Sequence, residues 1–151
     1  MVEVYKRLFE NKPKHIDGRK LLTNPKDEEL YEFLRVYMPK VCDVLGKPYY
    51  IRDLLLSIYE VGSELEPHID FTEEELKNSL GILFYFNDEF EGGEVYFTNF
   101  PFEYKPKKGT LLIFPCNNPE YKHGVKPVTS GIRYTMPIEI NSNKSLEVIS
   151  L

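Results

Sequence analysis

Four side chains in this chain have the types and spacing for shared chemistry: His68 and Asp70, two residues apart, then His123, then Arg133 ten residues further on. Side chains alternate between the faces of a strand, so the spacing predicts that His68 and Asp70 project from one face and grip one ion together. A third ligand from elsewhere in the chain would complete a facial triad. Two imidazoles and one carboxylate cover one face of an octahedron and leave the other positions open, which suits a non-haem Fe(II) that must still bind a co-substrate and oxygen. Arg133 adds a permanent cation whose planar fork matches a carboxylate. No one of these residues carries the reading alone, because His15-Ile16-Asp17 repeats the same tripeptide elsewhere. His15 lies in a polar stretch just before Gly18 and is assigned to a surface loop. His68 follows a long strand-like run and the Gly62 turn, and is assigned to a metal site.

The elements that must position these groups follow from periodicity. From Asn24, read as a cap with Pro25 in the first position, Leu30, Phe33, Leu34, Tyr37, Met38, Val41 and Leu45 recur at helical spacing. Pro39 is a place for a kink and Gly46 a stop. The apolar stripe of this helix should lie against a sheet. After Pro48 the character changes to strand: 49–59, 80–86, 94–98, 110–114 and 133–140 are short runs of β-branched, leucine and aromatic residues. Gly62, Asn87-Asp88, Gly92-Gly93, Lys108-Gly109, Asn117-Asn118-Pro119 and Ser130-Gly131 stand between them as turn signals. Many short strands punctuated this regularly predict a mainly β (α+β) sandwich or barrel. Residues 1–151 form a single domain, with a helical N-terminal part over about 1–46 and a β core over about 47–141. The stretch 11–19 is polar, with Pro and Gly.

Composition sets the bounds. A chain of 151 residues buries roughly 70% of its unfolded surface, enough for a core. A net charge of −5 argues against nucleic-acid and anionic-membrane partners. The Lys105, Lys107 and Lys108 cluster reads as a solvated turn. No apolar run approaches the ~20 residues of a membrane span, and the N-terminus lacks a signal-peptide layout, so the expected compartment is cytoplasmic. Cys42 and Cys116 show no CxxC spacing and are read as reduced thiols.

Six segments in order carry a resemblance. They are Tyr59-Glu60-Val61-Gly62; Glu66-Pro67-His68-Ile69-Asp70-Phe71; Leu83-Phe84-Tyr85-Phe86-Asn87-Asp88; Glu91-Gly92-Gly93-Glu94; Lys105 to Gly109 with Leu112-Ile113-Phe114; and His123-Gly124-Val125 with Pro127-Val128 to Arg133-Tyr134. From about Tyr50 to Ile140 the chain resembles the prolyl 4-hydroxylase-like branch of the Fe(II)/2-oxoglutarate dioxygenases. The resemblance implies a double-stranded β-helix (jelly roll) of two facing sheets, to which the apolar stripe adds an N-terminal support helix or helices. It implies His68, Asp70 and His123 as iron ligands and Arg133 as the partner of the distal carboxylate of 2-oxoglutarate. Most prolyl 4-hydroxylases of this family have Lys where this chain has Arg133, which leaves the subfamily open.

The implied reaction is hydroxylation of a C–H bond with O2, releasing succinate and CO2, with ascorbate as an accessory reductant. The substrate expected is a prolyl residue in a peptide or protein. The alternatives are a free amino acid or other small molecule, and a jelly-roll binding module that has lost turnover. Nucleic-acid demethylation is disfavoured, because that branch carries a second arginine six residues after the first and here that position is Glu139. Tyr59 and Tyr85 stand where the family often has hydroxyls contacting 2-oxoglutarate. Thr135, two residues after Arg133, shares its strand face and offers another hydroxyl. For each, the plainer reading is a core residue whose hydroxyl finds a buried partner. Gly92-Gly93 serves turn geometry. Asp88, Glu89, Glu91 and Glu94 form an acidic edge, read first as a solvated loop. Residues 72–76 read as a short capped helix or loop beyond the metal-binding strand. The expected assembly is a monomer or a homodimer.

Overall fold

The computed structural model describes residues 1–10, 14–16 and 18–151. Two helices, α1 (Val2–Phe9) and α2 (Glu28–Leu45), accompany twelve strands: β1 (Lys14–Ile16), β2 (Arg19–Thr23), β3 (Tyr50–Tyr59), β4 (Leu65–His68), β5 (Leu80–Tyr85), β6 (Phe90–Gly92), β7 (Val95–Phe97), β8 (Glu103–Tyr104), β9 (Leu111–Pro115), β10 (His123–Val125), β11 (Val128–Gly131) and β12 (Arg133–Asn141). The strands form a six-stranded sheet ordered β1-β2-β3-β12-β5-β9, a four-stranded sheet ordered β4-β10-β7-β8, and the pair β11-β6. Every pairing is antiparallel. The larger and smaller sheets face each other as a jelly roll. Among the described residues no helix is long and apolar enough to cross a membrane.

Alternation along the central strands of the large sheet divides its side chains between two cores. Leu54, Leu56, Ile58, Ile82, Phe84, Met136 and Ile138 point outward, where they meet Leu30, Leu34, Met38 and Val41 of α2 and Tyr5 and Phe9 of α1. Each fully buried aliphatic or aromatic side chain contributes about 1.5–3 kcal/mol relative to exposure, so this layer anchors the large sheet. Tyr59, Leu83, Tyr85 and Phe114 point inward against Val95, Phe97, Val125 and Val128.

The N-terminal part differs from the expectation in three ways. α2 is capped by Asp27, whose side chain accepts from the Leu30 amide at 3.0 Å, with Glu28 and Glu29 favouring the positive helix end. Asn24 lies before the helix at φ 45°, and it clamps β3 by donating its N–H to the Leu54 carbonyl and accepting from the Leu54 amide, both at 2.8 Å. Pro39 sits inside an unbroken helix, and Gly46 ends it at φ 75° as expected. The second is that α1, inside the part expected to be helical, is a separate helix of eight residues. The third is β2, which pairs along β3 from Arg19↔Tyr59 to Thr23↔Leu55. Residues 1–46 are therefore not purely helical: the open edge of β3 recruits a strand too short to show its own periodicity. His15 belongs to β1 and not to a loop, and it is exposed opposite Lys20. Asp17 and residues 11–13 lie outside the described residues.

Candidate metal and carboxylate site

His68 ends β4 and His123 begins β10, and the two are register partners across the smaller sheet, with ring centroids 4.6 Å apart. Gly124 allows this approach, since a Cβ there would lie 2.7 Å from the Leu65 carbonyl oxygen and 2.7 Å from the Tyr96 hydroxyl. Asp70 is not on the strand with His68, as alternation had suggested; β4 stops at His68 and Asp70 follows in a bend. The bend turns the carboxylate back, so that Asp70 Oδ1 lies 3.0 Å from His68 Nε2 and 3.7 Å from His123 Nε2. Two contacts hold the bend: the Phe71 amide donates to the Cys116 carbonyl at 3.4 Å, and the Arg52 guanidinium lies 5.2 Å from the Phe71 ring centre.

Hydrogen bonding fixes how this cluster can react. His68 Nδ1 lies 2.9 Å from the Glu66 carbonyl and His123 Nδ1 lies 3.0 Å from the Tyr121 carbonyl. A carbonyl only accepts, so both Nδ1 atoms carry the proton and both Nε2 lone pairs turn toward Asp70. Three acceptor atoms then converge with no donor between them, and the arrangement is satisfied only by a proton or a metal cation. Burial pushes the His123 imidazole below its ordinary value, against the pull of Asp70. At His68 burial also opposes the charge, but the Asp70 carboxylate and Glu66 carbonyl together raise it. Among the described residues His68, Asp70 and His123 are the group of ligand-type side chains whose donor atoms all fall within 4.8 Å of one another.

Arg133 presents the opposite deficit. It starts β12 with no exposed surface. One nitrogen, Nη1, donates to Thr135 Oγ1 at 3.4 Å, while Nε and Nη2 have no partner among the described residues. Its guanidinium lies 4.4 Å from the Tyr59 ring centre and 5.3 Å from that of Tyr85. The Tyr85 hydroxyl is also buried with no partner among the described residues, and burial pushes its pKa up to about 12, against the nearby Arg133 charge, so it stays a donor at neutral pH. Gly93 makes room for this group: it has φ +68°, and a Cβ would sit 2.9 Å from Arg133 Cδ. A buried cation and a tyrosine O–H with unused donors complement a carboxylate.

Both groups open on one cavity of about 920 Å³ between the sheets, with His68, Asp70, His123, Tyr59 and Arg133 in its wall. Tyr85 and Thr135 stand against Arg133 and border its charge. Sequence reasoning missed two wall residues. Arg19, on β2, donates to the Tyr59 hydroxyl at 3.2 Å. Glu139, on β12, is only 4% exposed and pairs with Arg52 at 2.7 Å. The signal for both is register, which no single segment shows.

Comparison with known proteins adds relatives. Residues 54–138 match the family described as the 2OG-Fe(II) oxygenase superfamily. A protein of Acanthamoeba polyphaga mimivirus described as "Putative prolyl 4-hydroxylase" is 38% identical over 72 residues, covering 43% of this chain and 30% of that protein. The chain thus spans under a third of that relative's length. Solved structures share the fold. The viral collagen prolyl hydroxylase of Paramecium bursaria Chlorella virus-1, in its 2OG complex, has TM-score 0.71 at 20% identity, covering 95% of this chain and 88% of that one. A Pseudomonas putida prolyl-4-hydroxylase has TM-score 0.73 at 16% identity, covering 94% and 83%. A Trichoplax adhaerens prolyl hydroxylase bound to a hypoxia inducible factor peptide fragment has TM-score 0.69 at 20% identity, covering 99% and 78%.

Proposed function

Because the chain belongs to the 2OG-Fe(II) oxygenase superfamily, we propose that it hydroxylates a prolyl residue of a peptide or protein, consuming 2-oxoglutarate and O2 and releasing succinate and CO2. The mimivirus relative and the prolyl hydroxylases of like fold, one of them holding a peptide, support the substrate class. The observation that carries the reading is the pairing of deficits in one cavity. Three ligand-type atoms face it from the small sheet, and an arginine with two nitrogens unpartnered among the described residues faces it from the large one.

His68 Nε2, Asp70 and His123 Nε2 would hold Fe(II), each imidazole aimed by its Nδ1–H bond to a backbone carbonyl. Arg133 would receive the distal carboxylate of 2-oxoglutarate through Nε and Nη2, with Tyr85 and Thr135 beside the guanidinium and Tyr59 covering it. Bound iron supplies the activation of O2 that couples decarboxylation of the 2-oxo acid to C–H hydroxylation. The apolar wall of Leu83, Val95, Phe114 and Val125 keeps bulk water away from that chemistry. Ascorbate would serve to restore reduced metal after uncoupled turnover.

The test is an anaerobic titration with Fe(II) and 2-oxoglutarate, followed for a visible charge-transfer band, then admission of O2 with succinate quantified with and without proline-containing peptides. A band and peptide-stimulated succinate are expected, and both vanish in His68→Ala and Asp70→Ala, which keep the native circular dichroism. Failure of the wild type to give either band or succinate would overturn the reading.

A further inference from the structure

Arg19 lies outside the stretch that matches the family, on the N-terminal strand β2. β2 pairs with β3 so that Arg19 stands opposite Tyr59, and β3 pairs with β12 so that Tyr59 stands opposite Arg133. Three side chains from three adjacent strands, spaced about 4.8 Å apart, thus form one row on the cavity wall. The tyrosine ring is enclosed between two guanidinium groups, Arg133 at 4.4 Å and Arg19 at 5.4 Å from its centre.

We propose that Arg19 is a positioning residue of the 2-oxo acid pocket, one that commits the Tyr59 hydroxyl to act as a hydrogen-bond donor toward the bound co-substrate. The proposal rests on the functional reading above and extends it to an element the family match does not reach. The argument is one of proton placement. A phenol has one proton to donate and lone pairs to accept with. Arg19 Nη1 can only donate, and at 3.2 Å it takes up the accepting side of the Tyr59 oxygen. The Tyr59 proton has no acceptor within hydrogen-bonding distance among the described residues. Tyr59 is 3% exposed and its ring is wedged between the guanidiniums, so the hydroxyl cannot swing to solvent. Its proton is left for a ligand oxygen in the cavity. Arg19 therefore acts through Tyr59: without it the O–H is no longer aimed into the cavity and must be ordered by the incoming carboxylate.

The experiment measures 2-oxoglutarate binding by calorimetry to the full chain loaded with Mn(II), which supports binding without turnover, alongside KM and kcat of the Fe(II) enzyme. Arg19→Met should weaken binding severalfold, up to about tenfold, the upper bound being the full worth of the Tyr59–ligand hydrogen bond that it leaves unaimed. KM for 2-oxoglutarate should rise in proportion while kcat stays within about twofold. Tyr59→Phe should weaken binding by at least that factor, and the double variant should be no weaker than Tyr59→Phe alone by more than about twofold, since Arg19 reaches the ligand only through the Tyr59 hydroxyl. Arg19→Lys, which keeps a donor and a charge, should recover most of the affinity. Arg19→Met binding as tightly as wild type, or losses that multiply in the double variant, would overturn the proposal. If Arg19→Met does not fold, Arg19→Lys decides: near-wild-type affinity supports the proposal, and a loss equal to that of Tyr59→Phe overturns it. Wild-type protein that binds Mn(II) but no 2-oxoglutarate would overturn the functional reading itself, and is distinguished by failing before any Arg19 variant is compared.

Discussion

Replacing Arg133 by methionine, of similar length but without charge, separates what the arginine does for folding from what it does for binding. The guanidinium is fully buried, and two of its nitrogens have no partner among the described residues. Leaving such donors unsatisfied costs about 1–3 kcal/mol each, so about 2–6 kcal/mol is relieved by Arg133→Met. Against this stand the bond to Thr135 Oγ1, worth about 0.5–1.5 kcal/mol, and the contacts with Tyr59 and Tyr85, about 0.5–2 kcal/mol each. The two sides nearly cancel. Arg133→Met should therefore leave the apo protein within about 1 kcal/mol of wild type, whereas truncating a large apolar core side chain costs about 2–5 kcal/mol. Binding should respond in the opposite sense. Losing two charge-assisted bonds of about 1.5–3 kcal/mol each weakens 2-oxoglutarate by roughly a hundredfold or more. Thermal melts with Mn(II) read both effects. At a 2-oxoglutarate concentration of about 100 Kd the wild type gains about 2.7 kcal/mol, roughly 5–10 °C for a domain of this size, and the variant gains almost nothing. A variant that loses several kcal/mol in the apo form, or that keeps the full ligand-induced shift, would show that Arg133 is a structural post and refute the reasoning.

Two glycines should fail in different ways. Gly93→Ala places a methyl 2.9 Å from Arg133 Cδ at φ +68°, and should weaken 2-oxoglutarate while sparing metal affinity. Gly124→Ala pushes against the Leu65 backbone carbonyl at 2.7 Å, spreads His123 from His68 and should weaken Mn(II) binding first, as equilibrium dialysis would read. Equal losses of both ligands in both variants would mean general unfolding in place of local displacement. Alkaline pH supplies a separate test. Burial raises the Tyr85 pKa from 10.0 to about 12, so the folded state holds this proton more tightly than the unfolded chain. The associated stability is fully present below pH 10 and is lost as pH rises through 12, up to about 3 kcal/mol from this group. Tyr5, raised by burial in the same direction, adds its own share. Urea melts between pH 9 and 11.5 should show a shallower decline for Tyr85→Phe than for wild type, and parallel curves would contradict the assignment.

The features legible in the sequence are those that one segment expresses alone. α2 shows its buried stripe at helical spacing, and β3, β5 and β12 show as apolar runs because both faces of the large sheet are covered. The two histidines, the aspartate and the arginine were legible by type and order. What escaped the sequence depends on partners. Strands of two to four residues such as β6, β8 and β10 are too short to carry a period, and exist because a neighbour supplies the ladder. Asp70 reaches the histidines through a bend held by Cys116 and Arg52, residues 46 and 18 positions away. Asn24 looked like a cap because it is a good one, but its side chain is spent on β3. His15 and His68 begin the same tripeptide, and only β10, bringing His123 beside His68, separates them.

The deepest reason the site resists reading from sequence is that its logic is a complementarity between two sheets. On the small sheet three lone-pair-bearing atoms meet without a donor. On the large sheet a guanidinium and a phenol hold donors without an acceptor among the described residues. Each arrangement alone is a defect that folding tolerates at a cost of a few kcal/mol. Facing the same cavity, they specify one kind of occupant: a cation on the first and, bridging to the second, an anion that chelates that cation at one end and ends in a carboxylate at the other. The outer layer of α1 and α2 supplies what such a site demands of the rest of the fold, an apolar anchorage stiff enough to hold the large sheet opposite the small one while both remain unsatisfied.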